Sequence, residues 1–206
     1  MKIQVVGAIA LVCMGLVSAS VAAEVVGKTT LDNLQAAFNG ESNAKAKYDA
    51  FAVKADEEGY KSVAALFRAA AASEAIHAKK HAAAIKKLNA EPLATVGKPE
   101  VKSTKENLEA ALAGETYEKE TMYPGFIAQA EAENNKGAVM SFKGALAAEA
   151  EHAKMYKQAL SELDAWKLAG KEFMVCQICG YTLFSDPALL KCPVCAAPKE
   201  KFTLIK

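Results

Sequence analysis

One four-residue pattern, occurring twice, limits what this chain can fold into. Glu74-Ala75-Ile76-His77 returns as Glu149-Ala150-Glu151-His152, in the similar frames Ser73 to Lys79 and Ala148 to Lys154. Glu and His three apart on a helix project from one face. A carboxylate and an imidazole on one face are half of a metal site. Two such halves, with one Glu from each of two further helices, make the di-iron or di-manganese carboxylate site of a four-helix bundle. The chain has only three histidines, His77, His81 and His152, and two of them stand in this spacing.

The rest of the middle region agrees. Ala, Glu and Lys dominate it, which favours helix. Thr30 is read as a cap, followed by an apolar face of Leu31, Leu34, Phe38, Ala46 and Phe51 on a helix that carries Glu41. Gly59 is the expected stop. A second helix, from about Tyr60 to Leu88, carries Glu74 and His77. A long connection with Pro92, Gly97 and Pro99 follows. Ser103-Thr104-Lys105-Glu106 is a capping box that starts a third helix. This helix carries Glu115 and Glu118. Pro124 lies inside its pattern, where proline costs ~3 kcal/mol relative to alanine, so a kink is expected. Gly137 marks the next turn, and a fourth helix, about Ala138 to Leu168, carries Glu149 and His152.

The two helix pairs are an internal repeat. Asn33 to Glu41 aligns with Asn107 to Glu115 at an offset of 74, and the Glu-x-x-His motifs are offset by 75. Both halves therefore place their ligands at matching heights. Antiparallel pairs related by a pseudo-two-fold converge on one site. Ala44 occupies the place equivalent to Glu118, so the third helix offers a surplus carboxylate. The candidate ligands are Glu41, Glu74, His77, Glu115, Glu118, Glu149 and His152. This oxygen-rich set suits iron or manganese better than structural zinc. Buried unpaired carboxylates would be very costly, and a metal pair keeps them ionised. Glu57, Glu58, Glu131 and Glu133 read as surface residues. His81, one turn after His77, reads as an outer-face residue or a partner of a ligand. Tyr48 and Tyr123 follow Glu41 and Glu115 by about two turns, and either pack the core or hydrogen-bond a ligand carboxylate.

Both ends differ in character from this middle. Residues 1–23 read as a secretory signal peptide: Lys2, an apolar run from Val5 to Val17 that is short for a bilayer span, and Val21-Ala22-Ala23 before Glu24. The expectation is cleavage and export to the periplasm, with an uncleaved membrane anchor as the alternative. Residues 24–168 form the bundle domain, and residues 169–206 a second, small domain. The tail from Phe173 cannot build an adequate core alone. It holds Cys176-x-x-Cys179 and Cys192-x-x-Cys195. Four thiolates in two such loops suit zinc or a single iron, with two disulfides as the third option. Lys and Arg number 25 against 24 Asp and Glu, so nothing suggests nucleic-acid binding.

With these residues assembled, the chain resembles rubrerythrin. Asn33 to Tyr48, Glu74 to Lys79, Gly114 to Phe126 with Met122-Tyr123-Pro124, and the four cysteines match that family's motifs in order. The resemblance implies a mainly α fold: a four-helix ferritin-like bundle, then a small metal-stabilised rubredoxin-like β domain. It implies a di-iron centre held by Glu41, Glu74, Glu115, Glu149 and His152, with Glu74 and Glu149 bridging. His77 and Glu118 match the pair between which one iron moves on oxidation. Cys176, Cys179, Cys192 and Cys195 match the ligands of the rubredoxin-type iron. The implied activity is reduction of hydrogen peroxide to water, a defence against oxidative stress. Electrons would come from a donor protein or reductase through the rubredoxin-type iron, passing between subunits of a homodimer. The signal peptide departs from the family's mostly cytoplasmic pattern. The competing functions are ferroxidase or iron handling, electron transfer alone, and a zinc-bound interaction module joined to a bundle.

Overall fold

The structure, a computed structural model, describes residues 29–168 and 170–206; the signal-peptide expectation for residues 1–23 lies outside them. Helix α1 spans Thr30–Glu57 and α2 spans Lys61–Lys87. The three-residue connection turns the chain at Gly59, whose φ of +80° an L side chain would resist, so α1 and α2 lie side by side and antiparallel. Helix α3 covers Thr104–Tyr117, a π-helical turn Glu118–Met122 follows, and α4 covers Tyr123–Ala132. Helix α5 runs Lys136–Ser161 and α6 Leu163–Leu168. The α3–α4 segment packs along α5, and α5 packs on α2. The bundle therefore consists of two helical pairs, as the repeat requires. Among the described residues no helix is long and apolar enough to cross a membrane.

The helix ends express the repeat in detail. Thr29, not Thr30, caps α1, in a reciprocal capping box with Asp32; Ser103 and Glu106 form the equivalent box on α3. The backbone N–H of Thr30 donates to Glu133, and that of Thr104 donates to Glu58 at 2.8 Å. Each half thus supplies a carboxylate to the positive N-terminus of the other half's first helix. Glu58 and Glu133 are therefore more than solvated surface charges, whereas Glu57 and Glu131 make surface ion pairs with Lys54 and Lys143. The turn expected at Gly137 comes earlier. Asn134 takes φ +57° and Asn135 caps α5 through its side chain, which places Gly137 inside the helix.

Pro124 does not end its helix, and the accommodation comes before it. The π-helical turn lets the Tyr123 N–H donate to the Glu118 carbonyl, one residue further back than in an α-helix. The fourth long helix breaks at Glu162. The short α6 then carries Trp166, fully buried between the bundle and the C-terminal sheet, where it packs on Phe173 and Phe184 with ring centroids 6.2 and 5.9 Å away.

The tail is a three-stranded antiparallel sheet in the order β2-β1-β3, with β1 Phe173–Cys176, β2 Thr182–Phe184 and β3 Phe202–Ile205. Strand β1 registers Phe173 against Phe184 and Ile205. Phe173 and Val175 join the bundle core, so the small sheet shares a hydrophobic core that it could not build alone.

Candidate metal centre

Six of the seven candidate residues are buried in the bundle interior, reaching it from four helices, and Glu118 is half-buried. Two overlapping groups form: Glu41, Glu74, His77 and Glu149, and Glu74, Glu115, Glu149 and His152, with ligand atoms within 4.8 Å of one another in each. Glu74 and Glu149 stand in both. Glu74 Oε2 lies 2.9 Å from His77 Nδ1, and its Oε1 lies 3.3 Å from His152 Nδ1. Glu149 divides its oxygens the same way, at 3.1 Å from His77 and 2.9 Å from His152. Each shared carboxylate thus serves both imidazoles, the geometry of a bridging ligand. Glu118 stands in neither group, although its charge is felt by Glu41. It lines a surface cavity of about 370 Å³, together with Gly40, Asn43 and Lys47.

The tyrosines are hydrogen-bonded to ligands, and crosswise. Tyr48, two turns after Glu41, donates to Glu115 Oε1 at 2.6 Å; Tyr123, two turns after Glu115, donates to Glu41 Oε1. In both pairs the second oxygen, Oε2, has no hydrogen-bond partner, nor does either oxygen of Glu149. Buried carboxylate oxygens without partners are costly, and a cation pair between the two groups relieves that cost.

His81 is fully buried, not on an outer face. Its Nε2 is 3.1 Å from the Tyr123 hydroxyl and its Nδ1 is 2.8 Å from Ser141 Oγ. The reading as a partner near the ligands is the one that matches this position. Ser141 was missed from the sequence: a lone serine on an alanine-rich helix carries no motif.

Electrostatics point the same way. Burial raises Glu41, and the nearby Glu74, Glu118 and Glu149 raise it further. Burial takes Glu115 up to about 7. Burial and then Glu115 raise Glu118. Glu74 is the exception: burial alone would raise it, but His152 and His77 bring it down to about 2. Burial opposes charge on His77 and His152, yet the surrounding carboxylates raise both. Burial, with His77 and Lys80, lowers His81 to about 3, so its ring is neutral.

A pH prediction follows. The folded, metal-free chain keeps protons on Glu41 and Glu115 that an unfolded chain sheds above its ordinary glutamate range. That stability is fully present below about pH 4.5 and is lost as pH rises through about 7, on the order of 3 kcal/mol for Glu115. The raised His77 and His152 act in the same sense. Metal binding needs these atoms bare and so releases protons. Thermal unfolding at pH 5.5 and 7.5 should show metal-free protein losing stability with pH and iron-loaded protein gaining it. Parallel curves would contradict this assignment of the buried carboxylates.

The four cysteines form the second centre. Cys176 Sγ is 3.6 Å from Cys195 Sγ, and Cys179 Sγ is 3.6 Å from Cys192 Sγ. These are free thiols, far beyond the ~2.05 Å of a disulfide. They match the edges of a sulfur tetrahedron with metal–sulfur bonds of about 2.3 Å. The two loops repeat one turn: Cys176 N–H donates to Tyr181 and Cys192 N–H to Ala197, with Gly180 and Ala196 both at positive φ. This centre lies against the first. The Cys179 carbonyl is 3.1 Å from His77 Nε2, and Ser73 Oγ donates to the Gly180 carbonyl at 2.7 Å.

Comparison with known proteins agrees with this geometry. The rubrerythrin family model matches residues 32–160, and the model of the rubrerythrin rubredoxin-like domain matches residues 175–203. This chain belongs to the rubrerythrin family. It is 42% identical to nigerythrin of Nitratidesulfovibrio vulgaris over 178 residues, 85% of this chain and 86% of that protein. It is 34% identical to a rubrerythrin of Porphyromonas gingivalis over 183 residues, 87% of this chain and 92% of that one. A structure of nigerythrin in its fully reduced, all-ferrous state superposes with a TM-score of 0.82 at 38% identity, covering 98% of this chain and 100% of that one. As a member of the rubrerythrin family, the chain has a di-iron carboxylate centre and a four-cysteine iron centre.

Proposed function

We propose that this protein is a peroxidase that reduces hydrogen peroxide to water, using electrons that enter through the cysteine-bound iron. The observation that carries this reading is the contact of the Cys179 carbonyl with His77 Nε2, while His77 Nδ1 faces Glu74 and Glu149. A built-in electron inlet beside a di-iron site suits repeated turnover. Iron storage needs no such inlet, and electron transfer alone needs no carboxylate pocket. Iron, when bound, supplies the two electrons that, with two protons, convert one peroxide to two waters.

The side chains then have separate tasks. Glu74 and Glu149, each facing both His77 and His152, would hold both metal ions. Tyr48 and Tyr123 each hold one oxygen of an outer glutamate, the same Oε1 that lies 3.5 Å from His152 Nδ1 in Glu115 and 3.9 Å from His77 Nδ1 in Glu41. Glu118, on the cavity near Lys47, marks the side from which peroxide reaches the centre. His77 and Glu118 would serve as alternative ligands to one iron, because a hard ferric ion prefers carboxylate to neutral imidazole. The resemblance implies electron passage between subunits of a homodimer; within one chain, the Cys179 carbonyl and His77 Nε2 are already 3.1 Å apart.

Peroxide consumption by the fully reduced chain, in the absence of oxygen, tests the reading. Glu118→Ala should still bind two ferrous ions but lose peroxide turnover by ~100-fold or more, beyond the 10–100-fold typical of losing an outer partner. If peroxide oxidises the reduced chain no faster than dioxygen does, the ferroxidase reading takes its place. Export is proposed as well. Intact-mass measurement of protein from its native envelope should find Glu24 as the first residue, and retention of Met1 would support the anchor.

A further inference from the structure

The repeat that makes the metal centre symmetric fails just behind one tyrosine. The offset of 75 that pairs His77 with His152 also pairs His81 with Tyr156 and Ser141 with Leu66. Around Glu115, then, Tyr48 is backed by the ring of Tyr156, 5.7 Å away between centroids. The hydroxyl of Ser141 has only an aliphatic counterpart there. Around Glu41, Tyr123 is backed by an imidazole that is itself held by a hydroxyl. All four members, Ser141, His81, Tyr123 and Glu41, are buried.

Donor and acceptor rules order this chain in one direction. Tyr123 gives its single proton to Glu41. Its oxygen can therefore only accept from His81, so Nε2 carries a hydrogen. A neutral ring then leaves Nδ1 bare, and Nδ1 accepts from the Ser141 hydroxyl. Every bond in the series points toward the metal centre, and the last one occupies Glu41 Oε1. The oxygen left over, Oε2, has no partner.

We propose that Ser141 and His81 form a positioning pair that fixes Tyr123 as the hydrogen-bond donor to Glu41, and so keeps Glu41 a single-oxygen ligand on the His77 side of the centre. The side so anchored is the one where His77 and Glu118 would exchange. One ligand is held still while another changes. The inference rests on the metal centre and not on the peroxide reading. Ferrous loading is measured without peroxide, so failure of the two readings would be separate results.

The test is anaerobic titration of ferrous iron into the metal-free full-length chain, in competition with a chelator. His81→Leu should weaken one of the two positions by ~10–100-fold and split the titration into two steps. His81→Gln, whose amide N–H can still reach the Tyr123 oxygen, should recover most of that loss. The second readout is long-range ¹H–¹⁵N NMR of the zinc-loaded protein. It should find His81 with hydrogen on Nε2 in the wild type and a mixture of tautomers in Ser141→Ala, a change small enough to leave the fold intact. Hydrogen on Nδ1 in the wild type would overturn the proposal. So would unaltered loading in His81→Leu, or equal weakening in His81→Leu and His81→Gln.

Discussion

Glu149→Gln should empty both positions of the di-iron centre while the bundle stays folded. Glu149 belongs to both groups of ligands, and its two oxygens face different imidazoles. Glutamine keeps the shape but replaces one oxygen with an amide nitrogen that has no lone pair to offer. Whichever way the amide turns, one metal position meets an N–H. The remaining oxygen is neutral, so the other position loses charge as well. Loss of an outer partner alone costs about 10–100-fold in affinity; loss of a shared ligand should exceed that. The cysteine-bound iron is an internal reference, because no residue of that lobe is altered. Iron per chain should fall to that single ion, with its visible spectrum unchanged. A variant that retained the di-iron pair would remove Glu149 from the shared position.

Gly180→Ala should uncouple the two centres without emptying either. Gly180 takes φ +85°, where an alanine pays roughly 1–2 kcal/mol. The added carbon would overlap the His77 ring and come within 2.9 Å of Ser73 Oγ. Neither neighbour yields easily. His77 is bound into the metal centre and Ser73 sits on the same buried helix face. The cysteine lobe must therefore move outward, breaking the Cys179 contact to His77 and the Ser73 bond to the Gly180 carbonyl. The expected result is normal iron content, normal oxidation of the prereduced di-iron pair in a single turnover, and a fall of an order of magnitude or more in steady-state turnover with an external reductant. Unchanged steady-state turnover would show that electrons do not enter beside His77.

The local elements were legible because they depend on short spacings. Glu and His at i and i+3 must share a helix face, and the Ser103 capping box and Gly59 stop announce themselves within a few residues. The four cysteines needed only their two loops to suggest a tetrahedral site. The duplicated frame even paired the halves, since a constant offset between motifs is preserved when helices pack. The misplacements were equally local. Thr29 and Thr30 are both able to cap, and only the extended backbone at Thr29 decides between them. Asn134 and Asn135 took the turn that was expected at Gly137.

By itself the sequence determined the helical pairs, the ligand types and the second metal lobe, all consequences of periodicity and residue chemistry. Only the tertiary structure decided which partners meet across the bundle. Tyr48 bonds Glu115, 67 residues away, and His77 meets Cys179, 102 residues away. Glu118, a surplus carboxylate by sequence, was set apart from the four-residue groups at the start of the π-helical turn. His81, read two ways from the sequence, and Ser141, featureless on its own helix, became one hydrogen-bonded series. Such contacts follow from how rigid helices are placed against one another. A helix fixes the direction of its own side chains, but packing across the whole core selects what stands opposite them.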